Sequence, residues 1–194
     1  MKNKRLFWNI FVCCTLFATA LILDLVIKDV MFKKLPSDGR PLSGIDGFFN
    51  FVRVENGGAG YGVLSGKRFL LIAISIIVLS AYVVYYVLDV KKNKNKTSFL
   101  LSISMGLIAG GCIGNLVDRI FIGKVRDFIN LQFMTFPVFN IADICLTIGV
   151  ILAVIYFIFI YPRNEKRRAQ EAKDNSSSPA VTITLPDEDK KDNQ

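Results

Sequence analysis

The chain has 194 residues, is 52% hydrophobic and has a mean hydropathy of +0.43, which is too apolar for an ordinary water-soluble domain. Its formal net charge of +8 does not point to nucleic acid, because the basic residues sit in clusters at the ends of apolar runs. There is no histidine, which excludes Ser-His and Cys-His catalysis and His-ligated metals together.

Four runs approach the roughly 20 apolar residues needed to cross a bilayer: 6–27, 69–88, 99–117 and 141–161. The second and third carry no charge, the first carries only Asp24 and the fourth only Asp143. The four cysteines, Cys13, Cys14, Cys112 and Cys145, all lie within these runs without zinc-like spacing, and read as small buried hydrophobes. Lys2, Lys4 and Arg5 precede the first run; Lys91, Lys92, Lys94 and Lys96 fill the second connection; Arg163, Lys166, Arg167 and Arg168 follow the fourth. With alternating spans these three clusters share one side, which predicts cytoplasmic termini. Residues 1–162 are expected to form one four-span domain with an outer loop at 29–68. Residues 163–194 are expected to be a cytoplasmic, largely disordered tail.

In chain order, the N-terminus has the basic start and apolar run of a cleaved leader, but the run continues to Ile27 and is long enough to span. Asp24 and Lys28 follow one turn apart in the favourable order for a helix. From this segment alone they read as an interfacial ion pair with Lys28 reaching for water. Within the outer loop, 47–54 (GFFNFVRV) reads as a short strand and 55–62 (ENGGAGYG) as a glycine-rich loop able to lie against a ligand. Span two, with Tyr82, Tyr85 and Tyr86 near its inner end, reads as a lipid-facing wall. Gly106, Gly110 and Gly114 on span three form a ridge for close helix packing. Beyond them Asn115, Asp118 and Arg119 share a face, with Asp118–Arg119 readable as a structural ion pair at the helix end. The link 120–140 is amphipathic and predicts an interfacial helix or lid. Pro137 ends it, and Asn140 and Asp143 open the fourth span.

Alternation brings Asp24, Asp118, Asp127 and Asp143 to the outer interface, where a carboxylate is expensive and marks function. Without histidine, and without a Ser-Lys pair in the bundle, a pair of aspartates sharing a proton is the leading chemistry: one activates water while the other polarises a carbonyl. Spacing does not decide which pair. A small ion- or proton-coupled membrane transporter is the alternative, and a structural four-span subunit a third reading.

The ordered motifs D-x-x-x-K at 24–28, N-x-G-A in the outer loop, GN-L-x-D-R, V-x-D-F and F-N-x-A-D resemble the bacterial lipoprotein signal peptidases (signal peptidase II). The likeness runs from Asp24 to Asp143. It implies an all-α membrane fold, a four-transmembrane-helix bundle with a small extracytoplasmic β-cradle and an interfacial helix, in the bacterial cytoplasmic (inner) membrane. It implies an aspartic endopeptidase that removes signal peptides from diacylglyceryl-modified prolipoproteins, cutting before the lipidated cysteine. The catalytic pair would be Asp127 and Asp143. Asp24, Lys28, Asn56, Gly58, Ala59, Asn115, Asp118, Arg119 and Asn140 match substrate-binding or supporting positions. No cofactor, metal or nucleic acid is expected; the expected partners are the prolipoprotein and membrane lipid, and the expected state a monomer. Leu25, Val26 and Ile27 stand where the family often has polar residues, and NGGAGYG has an additional glycine after Asn56.

Overall fold

The computed structural model describes residues 2–92 and 97–177. Lys94 and Lys96, and 178–194 of the tail, lie outside the described residues. The element order is α1 (Lys2–Lys34), β1 (Leu42–Ile45), β2 (Phe49–Asn56), a short 3-10 turn (Gly60–Gly62), α2 (Arg68–Lys92), α3 (Phe99–Phe121), β3 (Val125–Leu131) and α4 (Ile141–Ile155). A π-helical turn, Tyr156–Ile160, joins α4 to α5 (Tyr161–Ser177).

Four helical stretches are long and apolar enough to cross a membrane: Lys4–Lys34, Arg68–Lys92, Phe99–Phe121 and Ile141–Gln170. The bundle is built inside out relative to a soluble protein. Large apolar side chains such as Ile22, Leu23, Ile77, Val78 and Ile158 are exposed, while Asp24, Lys28, Ser102, Ser104, Asn115, Asp118, Asp127 and Asn140 are buried. With hydrocarbon as solvent, burying a leucine gains little, and helices associate through close packing and polar bonds.

α3 is the central helix, and small residues let its neighbours approach. A methyl group on Gly106 would sit 2.6 Å from the Cys13 carbonyl oxygen, and one on Gly110 would sit 2.6 Å from the Ala20 Cβ. On the other face, a Gly111 methyl would strike the carbonyl oxygen of Ala142 in α4. α2 is joined to α3 by hydroxyls: Tyr82 to Ser104 at 2.8 Å and Tyr86 to Ser102 at 3.0 Å. The Ser104 hydroxyl also donates to the Gly149 carbonyl at 2.8 Å, which ties α4 in. At the far end from the sheet, the π turn brings the buried Tyr156 hydroxyl to Asp89 Oδ1 at 3.2 Å.

Residues 120–140 depart from expectation. In place of an interfacial helix, Val125–Leu131 is the third strand of an antiparallel sheet ordered β1-β2-β3. Its β-branched and aromatic residues suit a half-buried pleated surface, and a free β2 edge was available to pair. The pairs Val54–Asp127 and Asn56–Val125 set the register. Phe139 then bridges to Ile129, so β3 is held on both edges. The strand expected at 47–54 is present as β2. The tail helix runs to Ser177 as a direct continuation of the last span, farther than its polar composition suggests.

Because a backbone carbonyl blocks the position, we expect Gly111→Ala to force α4 away from α3 and lower stability by about 1–3 kcal/mol. Gly60→Ala, with nothing within 4 Å of an added methyl, should stay within about 0.5 kcal/mol of the parent. Thermal unfolding in detergent checks both.

Candidate active site

Four helix ends and the sheet meet at one end of the bundle. Asp143 lies in the first turn of α4, where the helix dipole favours negative charge. Asn140 caps that helix: its Oδ1 accepts from the Asp143 N–H at 3.1 Å, while Asp143 Oδ2 accepts from the Asn140 N–H at 3.1 Å. This reciprocal capping box fixes the Asp143 carboxylate. Its other oxygen, Oδ1, accepts from Asn115 Nδ2 of α3 at 2.8 Å.

Asp127 approaches from β3. Its Oδ1 accepts from Asn140 Nδ2 at 2.6 Å and its Oδ2 from Asn56 Nδ2 at 2.9 Å. Asn56 is oriented in turn, because its Oδ1 accepts from the Gly58 N–H at 2.9 Å. Asp127 is 2% exposed, and this burial, with the charge of Asp143 behind it, pushes its carboxyl up to about 7, although the amides of Asn56 and Asn140 pull the other way. Asp127 and Asp143 line one cavity of about 210 Å³, together with Asn56, Ala59, Asn115 and Arg119.

Beneath the cavity is a sealed ionic layer. Lys28 and Asp24 are both fully buried, with Nζ 2.7 Å from Asp24 Oδ2. The ammonium also donates to Asn115 Oδ1 at 2.9 Å and lies 3.5 Å from Asp118 Oδ2. Asp24 Oδ1 accepts from the Ala142 N–H at 2.9 Å, satisfying one of the free donors at the start of α4. Asp118 takes the Arg126 backbone N–H at 3.0 Å and its guanidinium at 2.9 Å. The Asp24–Lys28 pair is therefore a buried hub, not an interfacial pair with Lys28 reaching for water. Asp118 likewise pairs with Arg126 and Lys28 instead of Arg119.

Arg119 is free for other work: its Nη2 donates to the Gly58 carbonyl at 3.1 Å, pinning the glycine-rich loop over the cavity. A side chain at Gly58 would press on the Val63 carbonyl, 2.8 Å from an added Cβ, so the loop needs glycine there. Tyr61, held at φ +56°, reaches the ring of Phe136 across the cavity mouth at 6.3 Å.

Of the residues singled out in the sequence, Asp127, Asp143, Asn56, Ala59, Asn115 and Arg119 line the cavity. Asn140 supports both acids from below, Gly58 backs the loop, and Asp24, Lys28 and Asp118 form the ionic layer. Arg126 was not singled out. It precedes Asp127 on a strand and so faces the opposite side, toward Asp118, a placement that only the strand reading of 125–131 reveals.

The family model for signal peptidase (SPase) II matches residues 16–159. A lipoprotein signal peptidase of Halothermothrix orenii is 38% identical over 137 residues, covering 70% of this chain and 88% of the relative. One of Staphylococcus carnosus is 39% identical over 153 residues, covering 77% and 92%. Two solved bacterial membrane enzymes, determined by the in meso method at 2.3 and 1.9 Å resolution, share the fold. The first has a TM-score of 0.68 and 30% identity over 89% of this chain and 95% of its own; the second has the same TM-score and 33% identity over 78% and 95%. A bundle of four apolar helices under a three-stranded sheet, with this extent of sequence likeness, leaves one conclusion: the chain belongs to the signal peptidase II family of membrane peptidases.

Proposed function

We propose that the chain is an aspartic endopeptidase that removes the signal peptide from diacylglyceryl-modified prolipoproteins, with Asp127 and Asp143 as its catalytic pair. The observation that carries this reading is that two carboxylates, delivered by a strand and a helix N-terminus, line one cavity at the lip of a membrane bundle and differ in environment. Asp143 has the helix dipole and two N–H donors, which favour the anion. Asp127 is buried and holds the proton up to about pH 7. Asp143 then takes a proton from water, whose oxygen attacks the scissile carbonyl carbon, while the Asp127 hydroxyl gives its proton to the carbonyl oxygen. On collapse, the C–N bond breaks as the proton held by Asp143 passes to the leaving nitrogen, and one hydroxyl of the diol returns its proton to Asp127, leaving a carboxyl product.

An apolar groove of about 290 Å³ leaves the cavity at Asp143 and follows Phe136, Phe139, Ile144 and Ile148 along α4, which suits a substrate that arrives within the lipid. The basic residues at the opposite end of the bundle support cytoplasmic termini and an extracytoplasmic site. A transporter is unsupported: Asp24, Asp118, Asp127 and Asp143 gather at one end, and the chain's relatives are peptidases.

The test is cleavage of a lipidated precursor by purified protein in detergent. We expect Asp127→Asn and Asp143→Asn to fold and each to lose about 10²-fold or more in kcat. Wild-type turnover by either removes that residue from the pair. An unlipidated precursor should not be cut.

The pH profile follows from the direction of the Asp127 shift. Its folded-state value lies above the ordinary carboxylate range, so the acid form persists to about pH 7, and activity should fall as pH rises through that value. Asn56→Ala removes a donor that favours the Asp127 anion, so the alkaline limb should move to higher pH. A limb that stays put or moves down contradicts the assignment of the proton to Asp127.

Asn140→Ala should do double damage. It loses the helix cap, about 1 kcal/mol of stability, and the donor to Asp127, with a fall in kcat that exceeds any change in KM. Kinetics and thermal unfolding of the same preparation separate the two effects.

A further inference from the structure

Lys28 is fully buried and its ammonium bonds to Asp24 and Asn115, not to either acid of the pair, although its charge acts on Asp127 from a distance. Its ammonium donates to Asp24 Oδ2 at 2.7 Å and Asn115 Oδ1 at 2.9 Å, and lies 3.5 Å from Asp118 Oδ2. An ammonium has no acceptor, so whatever atom of Asn115 faces it must be the oxygen. The same Oδ1 takes a second hydrogen bond from Asn140 Nδ2 at 3.1 Å. A flipped Asn115 amide would set its NH2 against both an ammonium and another NH2, buried where water cannot relieve the conflict. The Asn115 Nδ2 is thereby committed to Asp143 Oδ1 at 2.8 Å. Asn140 is committed in the same sense, since its Oδ1 is held by the Asp143 N–H and its Nδ2 serves Asn115 and Asp127.

We propose that Lys28 is a positioning residue for the reaction: by fixing the amide of Asn115, it sets the N–H donor that holds the Asp143 carboxylate in place for the attacking water. This rests on the catalytic pair proposed above. The counter-ion role toward Asp24 and Asp118 is separate, and the two are distinguishable because Asn115 carries no charge. Without the ammonium, Asn115 Oδ1 keeps only the bond from Asn140 Nδ2, and the amide is held less firmly. The Asp143 carboxylate would then lose a donor that fixes its orientation toward the water.

Lys28→Met alone strands Asp24 without a counter-ion and is expected to reduce folded yield. The informative variant is Asp24→Asn with Lys28→Met, which removes both charges, keeps an acceptor for the Ala142 N–H and leaves Asp118 its Arg126. We expect this double variant to recover folded yield while kcat on a lipidated precursor stays down by about 10-fold or more, with KM little changed. Wild-type kcat, or a fall in turnover carried by KM alone, would overturn the proposal and reduce Lys28 to a counter-ion. Should the double variant not fold, Asn115→Asp decides. It retains the acceptor facing Lys28 and sets a carboxylate against Asp143, so normal yield with abolished turnover supports the proposal. Near-normal turnover, or loss of the fold there too, overturns it. Asp127→Asn is run beside these: if it is active, the pair itself is wrongly assigned, whatever the Lys28 variants do.

Discussion

Everything at the sheet end of this protein depends on burying the Lys28 ammonium among Asp24, Asp118 and Asn115. Ions taken out of water at a membrane surface need full hydrogen bonding, and removing one partner of such a group typically destabilises by about 3–5 kcal/mol. The layer meets that requirement through separate elements: α1 gives Asp24 and Lys28, α3 gives Asn115 and Asp118, and β3 gives Arg126. Asp24 also caps a free N–H of α4 through Ala142. One buried cation thus fixes the mutual placement of three helices and a strand. The glycines explain how the helices come close enough: a methyl on Gly114 would collide with the Asp24 carboxylate itself.

The second constraint is the division of labour between two kinds of surface. The outer wall of the bundle is apolar and unspecific, as lipid demands, and most of its side chains are interchangeable in character. Specificity resides in the polar interior and in the sheet that roofs it. The sheet is small, and an isolated hairpin of this kind would be marginal in water. It is held here by anchorage: Arg53 lies over the Phe32 ring at 4.7 Å and donates to the Phe32 carbonyl at 3.2 Å, while Phe139 stitches β3 to the start of α4. The loop above the cavity hangs from Arg119 and from the Gly66–Gly57 backbone bond.

Much of this was legible in the sequence. The four spans follow from hydropathy, and β2 from its aromatic and β-branched residues. The acids that line the cavity follow from the rule that a carboxylate at the bilayer needs a reason. The burial of Lys28 was not legible: its decisive partner Asn115 lies 87 positions away, and the near neighbour Asp24 by itself suggests only a surface pair. Residues 125–131 misled for a different reason. A short amphipathic run fits a helix or a strand equally well, and only pairing with β2 settles the period at two. That single misreading hid Arg126, and with it the true partner of Asp118.

Charge counting joins the ionic layer to the chemistry above it. In the layer, Asp24 and Asp118 are balanced by Lys28 and Arg126. Above it, Asp127, Asp143 and Arg119 line the cavity, and a guanidinium stays protonated under all ordinary conditions. The upper set is neutral when one carboxyl is protonated and carries an excess negative charge when neither is. The burial that raises the Asp127 carboxyl, together with the charge of Asp143, favours the neutral arrangement. The two carboxylates differ in how they are held: Asp143 sits at a helix N-terminus and accepts one backbone and one side-chain N–H, whereas Asp127 accepts two side-chain amides. In the catalytic reading proposed above, that difference in surroundings is what would tell the acid from the base before substrate arrives.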